Sequence, residues 1–254
     1  MITPRFYVAK HDLQAGEYII EDDFILQHIR ALRLCLNDTC SLFNGINNQE
    51  WHADIIDVNK KSAKLYINSL HTINRELNKS INLIQALINP NKLELIIEKT
   101  TELGIDNIYL IPAAYSNTNL TIENKDKKLN RLSKIIIAAC EQCGRNTLPS
   151  IHNLNSWKNC LDMLQSMPQD RLKFFLTTDI ANSIDINKKN IKNICDINVK
   201  NYNSIYYIIG PEGGFSPTEQ KNLFDAECIG VNLCSTILKS ETASIAVLSY
   251  LNFS

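Results

Sequence analysis

The chain has 254 residues, 44% of them apolar and 21% charged, with a formal net charge of −1. This composition suits a globular protein with a sizeable core and excludes collagen-like, low-complexity and highly charged disordered classes. No apolar run reaches the roughly 18 residues of a membrane span. The opening Met1-Ile2-Thr3-Pro4-Arg5-Phe6 lacks a signal peptide's apolar stretch, so the expected location is the cytoplasm.

Residues 1 to about 72 read as short strands rich in aromatic and β-branched side chains: Arg5 to Ala9, Glu17 to Ile20, Cys40 to Phe43, Trp51 to Val58 and Ala63 to Ile67. Turn signals such as Asn44-Gly45 separate them, and one helix is expected near Asp22 to Leu34. Such a series predicts a small barrel or sandwich. The polar segment Thr72 to Ser80 marks the expected boundary, giving domains at 1–72 and 73–254.

Beyond it, strands and helices alternate. Ile81 to Ile88 is an apolar run of buried-strand length. Leu93, Ile96, Ile97, Thr100 and Leu103 fall on one helical face, with Gly104 where a left-handed cap belongs. Ile108 to Ile111 is a strand, and Leu129, Leu132, Ile135, Ile136 and Ala139 mark a helix ending near Gly144. Strands follow at Lys173 to Thr177 and Ile205 to Ile209, with the Asn/Lys-rich stretch between Asn182 and Ser204 expected as a loop. Ser216-Pro217-Thr218-Glu219 has the form of a capped helix start. Ile229 to Leu233 is a strand and Ser240 to Asn252 a final helix. This alternation predicts an α/β fold with a mostly parallel sheet.

Charge is unevenly placed. Residues 121–149 hold six basic side chains (Lys125, Lys127, Lys128, Arg131, Lys134, Arg145) against three acidic ones (Glu123, Asp126, Glu141), net +3. Residues 1–71 hold seven basic against nine acidic, net −2. The positive segment suits either a solvated helix face or an RNA contact. Eight cysteines are present; Cys140 and Cys143 form a C-x-x-C pair, but the five-residue spacing of Cys35 and Cys40 and the wide separation of the two pairs do not fit a zinc site, so reduced core thiols and no metal are expected.

Two loops carry the chemistry. Three of the eight glycines lie in Gly210-Pro211-Glu212-Gly213-Gly214, directly after a strand. Glycine lets backbone approach a ligand and Pro211 stiffens the turn, so this is either a ligand loop or a tight strand-to-helix turn. Leu233-Cys234-Ser235-Thr236-Ile237-Leu238-Lys239-Ser240-Glu241-Thr242-Ala243 also follows a strand and opens a helix, where Glu241 and Thr242 have an alternative explanation as capping residues. In open α/β sheets, ligands bind beyond the carboxyl ends of strands. If the strands ending at Ile209 and Leu233 are neighbours, both loops face one pocket.

Ile209-Gly210-Pro211-Glu212-Gly213-Gly214-Phe215 followed by Ile237-Leu238-Lys239-Ser240-Glu241-Thr242-Ala243 resembles the signature pair of the 16S ribosomal RNA uridine-N3 methyltransferases of the SPOUT superfamily. Pro4-Arg5-Phe6-Tyr7, His28 to Arg33, Lys99-Thr100-Thr101-Glu102-Leu103-Gly104 and Glu141-Gln142-Cys143-Gly144-Arg145 agree in order, so the resemblance spans nearly the whole chain. It implies a PUA-like β-barrel RNA-binding domain, then a trefoil-knotted methyltransferase domain, assembled as a homodimer. The implied cofactor is S-adenosylmethionine, and the implied partner is 16S rRNA or the assembled small ribosomal subunit. Carried over, the cofactor residues are Leu176, Thr177, Ile209, Gly210, Glu212, Gly213, Gly214, Leu233, Ile237, Leu238, Lys239, Glu241, Thr242 and Ala243. Arg5, His28, Arg33, Lys99 and Arg145 are the RNA candidates. Glu212 and Glu241 are alternative proton acceptors, with Arg145 or Lys239 as anion stabilisers. The family usually has Gly at 234 and Arg at 236 and 239, where this chain has Cys234, Thr236 and Lys239. A non-catalytic RNA- or nucleotide-binding protein, or a tRNA methyltransferase, are the alternatives on the same scaffold.

Overall fold

The computed structural model describes residues 3–9, 13–116, 125–177 and 191–253. The chain divides into two compact units, Met1–Glu76 with Ile137–Leu148, and Leu77–Ile136 with Pro149–Ser254.

The first unit is built on β1 (Arg5–Tyr7), β2 (Gly16–Ile20), α1 (Asp23–Ala31), β3 (Thr39–Phe43), β4 (Gln49–Val58) and β5 (Ala63–Thr72). The strands form one sheet in the order β1-β3-β4-β5-β2, parallel only between β1 and β3. Phe6, Leu26, Ile29, Leu42, Ile55 and Leu65 fill its core. Asp22 caps α1 by accepting from the N–H groups of Phe24 and Ile25. The helix stops three residues before the expected Leu34. Arg33 takes a left-handed φ of 56° and Leu34 N–H bonds back to Ile29, which closes the helix without a glycine.

The second unit holds β6 (Ser80–Ala86), α2 (Pro90–Glu102), β7 (Asn107–Ile111), most of α3 (Lys125–Cys143), β8 (Ser150–Asn153), α4 (Trp157–Ser166), β9 (Leu172–Leu176), β10 (Ile191–Asn193), β11 (Ser204–Ile209), α5 (Pro217–Asp225), β12 (Ile229–Asn232) and α6 (Ser240–Asn252). Its seven strands are all parallel, in the order β10-β12-β9-β11-β6-β7-β8. Ile81, Leu83, Ile84, Phe174, Phe175, Ile205 and Ile208 are buried, as central parallel strands covered on both faces require. Gly104 takes φ 92°; its N–H reaches the carbonyl of Thr101 while that of Ile105 reaches Thr100, the paired closure expected of a glycine there. Part of the expected Asn182–Ser204 loop lies outside the described residues, and the rest contains β10 and two 3-10 turns at Ile194–Asp196 and Val199–Asn201.

Burial pushes the thiols of Cys40, Cys140, Cys160 and Cys228 up to about 12, as core thiols. Cys35 and Cys195 are instead exposed, which corrects the expectation for those two. Among the described residues, no helix is long and apolar enough to cross a membrane and no group of three His, Cys, Asp or Glu could hold a metal.

Candidate donor-binding site

The strands ending at Ile209 and Asn232 are not neighbours: β9 lies between them, paired to β11 on one side and to β12 on the other. The condition set from sequence is therefore not met, yet both loops line one cavity. Three adjacent carboxyl ends, rather than two, send out the loops, and residues far apart in sequence converge because their strands are consecutive in the sheet. Together they enclose a cavity of about 490 Å3.

The first wall is Leu176 and Thr177, with Thr177 N–H held by the carbonyl of Val231 at 3.0 Å. The second is the glycine loop. Gly214 N–H donates to the carbonyl of Pro211 at 2.9 Å, closing a four-residue turn, and Gly214, at its end, takes a left-handed φ of 72°. Ser216 and Glu219 form a reciprocal capping box with Pro217 at the first helical position, so the loop runs straight into α5. Glu219 also accepts from the N–H of Ala114 at 2.7 Å, pinning that cap to the loop after β7. The third wall runs from Asn232 to Ala243, including Leu233, Ile237, Leu238 and Lys239. Cys234 Sγ lies 3.2 Å from the carbonyl of Thr236, which folds this wall on itself.

A buried polar staple joins two walls. Ser240 Oγ donates to the carbonyl of Gly210 at 2.9 Å and accepts from Gln85 Nε2 at 3.0 Å, while Ser244 Oγ donates to Gln85 Oε1 at 2.7 Å. Gln85, fully buried, thus fixes where the glycine loop leaves β11 relative to the start of α6. Sequence reasoning passed over Gln85, Ser240 and Ser244. The signal was present, since an amide within the apolar run Ile81 to Ile88 must find partners in the core.

Of the residues expected to bind the cofactor, Leu176, Thr177, Ile209, Gly210, Glu212, Gly213, Gly214, Leu233, Ile237, Leu238, Lys239 and Ala243 line the cavity. Glu241 and Thr242 are not among the lining residues. Lys239, not either of them, is the cap residue of α6, and it makes no side-chain capping bond. Glu241 sits in the first turn with Oε2 buried and without a hydrogen-bond partner among the described residues. Glu212 pairs with Lys92 Nζ at 2.9 Å. Burial would raise its pKa, but the Lys92 bond, its own backbone N–H and that of Asn89 outweigh this and lower it. That favours Glu212 as a standing anion rather than a ready proton acceptor.

The RNA candidates fall elsewhere. Arg5, buried, donates to Glu50 at 2.6 Å and to the carbonyl of Arg145 at 3.2 Å. Arg145, 4% exposed, pairs with Glu76. Both guanidiniums are committed to the interior of the first unit, so neither is presented as a surface anchor. His28 lies 3.4 Å from the buried Glu141 and edge-on to Phe6. Arg33 is exposed at the end of α1. Lys99 bridges Glu98 at 2.7 Å and Glu102 at 2.8 Å.

Residues 75–252 match the RNA methyltransferase domain family. The chain is 31% identical to the ribosomal RNA small subunit methyltransferase E of Helicobacter pylori over 212 residues, 84% of this chain and 82% of that protein. The chain belongs to the ribosomal RNA small subunit methyltransferase E family. Another relative from that family, in Buchnera aphidicola, is 27% identical over 98% of this chain and 95% of its own length. Among solved structures, the Neisseria gonorrhoeae member of the family, bound to S-adenosyl methionine, superposes with a TM-score of 0.85 at 27% identity, covering 99% of this chain and 98% of that one. A methyltransferase from Legionella pneumophila in complex with the same cofactor gives 0.87 at 30% identity, over 100% and 98%.

The residues present fit that cofactor. A cavity of about 490 Å3 is within the usual range for small-molecule sites. Leu176, Ile209, Leu233 and Leu238 give it apolar walls and the turn at Pro211–Gly214 brings backbone polar groups to it, the mixed lining that a ligand with an apolar ring and polar ends needs.

Proposed function

We infer that this protein is an S-adenosylmethionine-dependent methyltransferase acting on 16S rRNA of the small ribosomal subunit. The observation that carries the inference is the convergence of three loops, two bearing the family's signature residues, around one cavity. S-adenosylmethionine supplies an electrophilic methyl group on a sulfonium. What the chain must do is hold that donor, exclude water and place one base in line with it.

At the finer level, the target atom is N3 of a uridine, which must be unpaired or flipped to reach the cavity. N3 carries a proton, so transfer needs an acceptor or a cation that stabilises the uridine anion. Glu241, whose buried Oε2 has no partner among the described residues, is the acceptor to test first although it does not line the cavity, because Glu212, which does, is engaged by Lys92. Lys239, exposed at the cavity, is the stabilising cation. Arg145 does not serve in that role.

Residues 1–72 act as a PUA-like RNA-binding domain, and residues 73–254 as the SPOUT methyltransferase domain with its trefoil knot, working as a homodimer in the cytoplasm. The five-stranded sheet of the first unit and the match beginning at residue 75 support this division. The insertion of β9 between β11 and β12 supports the knotted reading.

Nucleoside mass spectrometry of small-subunit rRNA from a deletion strain tests the substrate: 3-methyluridine is expected to vanish, and its persistence would reject the assignment. Calorimetry with S-adenosylmethionine tests the cofactor, with Glu241→Ala expected to weaken binding at least about tenfold, roughly 1.4 kcal/mol. Wild-type affinity in that variant would remove Glu241 from the site.

A further inference from the structure

Helix α3 opens with charges that its own stability does not favour. Lys127, Arg131 and Lys134 are all exposed and are spaced i, i+4 and i+7, so they stand on one stripe spanning about 10 Å of helix. Like charges at these spacings repel, each pair costing a few tenths of a kcal/mol. Cations in the first turns also oppose the positive end of the helix dipole. Only Arg131 has its charge met: Nε lies 2.7 Å and Nη2 2.8 Å from the two oxygens of Glu94 on α2. Lys127 and Lys134 pair with no carboxylate among the described residues. The nearest acid along the chain, Asp126, is exposed and one position away, about 100° around the helix from Lys127.

The same Glu94 ties the stripe to the donor site. It lies on the first turns of α2, two residues after Lys92, whose Nζ holds Glu212 at the cavity wall. A cationic track on α3 is therefore fixed by a bidentate pair to α2, whose Lys92, two positions and about 200° around that helix from Glu94, contacts the donor loop.

We propose that Lys127, Arg131 and Lys134 form a phosphate track that holds the RNA strand carrying the target base beside the donor cavity. The proposal rests on the RNA methyltransferase reading above. The partner is fixed by its chemistry: a linear polyanion, the backbone of a single RNA strand, matches a row of exposed cations and needs no base contact. Such contacts position and do not specify.

The test is Lys127→Ala/Lys134→Ala, with Lys158→Ala/Lys192→Ala as an equal change in net charge at exposed positions elsewhere. Binding of fluorescein-labelled oligouridylate is followed by anisotropy across a salt series. The track predicts that the logarithmic salt slope falls by about 1.4, roughly 0.7 for each cation lost from a single-strand contact. With small ribosomal subunits as substrate, KM is expected to rise about tenfold with kcat kept, the mark of lost uniform binding. Heat of S-adenosylmethionine binding is expected to be unchanged. An unchanged slope and KM, or an equal loss in the control pair, would overturn the track. A wild-type protein with no cofactor heat and no transfer to subunits would instead defeat the methyltransferase reading, and the anisotropy arm would still decide the track.

Discussion

Ser240 Oγ donates to the carbonyl of Gly210 at 2.9 Å, although 30 positions separate the two residues. Because the same hydroxyl accepts from Gln85, one side chain fixes both the exit of the glycine loop and the start of α6. Ser240→Ala leaves the Gln85 amide short of a buried partner, a cost of about 1–3 kcal/mol. It also frees the Gly210 carbonyl at the cavity. Urea denaturation is expected to show that loss, and calorimetry a donor Kd raised about three- to tenfold, up to 1.4 kcal/mol. Stability lost with donor affinity intact would mean that the staple does not shape the site.

Gly213 permits a close approach of another kind. A Cβ built there would lie 3.0 Å from Tyr115 Cβ, tighter than ordinary contact, while its backbone φ is not in the left-handed region. The constraint is therefore the neighbour rather than the turn. Gly213→Val is expected to weaken donor binding at least about tenfold, or 1.4 kcal/mol. Tyr115→Gly in the same chain should recover much of that loss. A double-mutant cycle measures the coupling, and strict additivity would show that the two residues do not press on one another.

Elements set by periodicity were legible in the sequence. The central strands, α2 with its Gly104 closure and α5 with its capping box follow from local rules. β8 and α4 were not recognised, because Ser150–Asn153 has only four residues and α4 presents just Cys160 and Leu164 as buried positions. The parallel order β12-β9-β11 lies beyond local pattern altogether, since no residue within a strand says which strand lies beside it. The surroundings of Arg5 and Arg145 were beyond local pattern for a related reason. A surface guanidinium and one buried against a carboxylate look alike until Glu50 and Glu76 are brought to them by the fold.

The end of α5 offers a stability test away from every functional loop. Glu227 takes a φ of 61°, with its N–H bonded to Phe224 and that of Cys228 to Leu223, the helix closure that normally uses glycine. A left-handed non-glycine residue costs about 1–2 kcal/mol, offset in part by glycine's extra freedom when unfolded, about 0.5–1 kcal/mol. Glu227→Gly is expected to stabilise the protein by about 0.5–1 kcal/mol and raise Tm by about 2 °C. A lowered Tm in scanning calorimetry would show that the carboxylate, not the backbone, matters there.

Acid should act on the first unit through Glu50. Burial alone would raise its pKa, but hydrogen bonds from Arg5, Arg75 and His52 outweigh that and hold it at about 2. A carboxylate lowered on folding adds stability that is present above its unfolded value, near 4.5, and is lost as pH falls toward 2. With solvent screening allowed for, the amount is on the order of 2 kcal/mol. Glu50→Gln leaves Arg5 buried without its counter-charge, so at pH 7 it should cost about 3–5 kcal/mol. The variant should also lose part of the wild type's destabilisation between pH 4.5 and pH 2. Denaturation curves at a series of pH values measure both effects. If the variant keeps the wild type's full acid dependence, the charge that matters at low pH lies on a residue other than Glu50; Glu141, whose pKa burial raises, acts with the opposite sign and would not account for it.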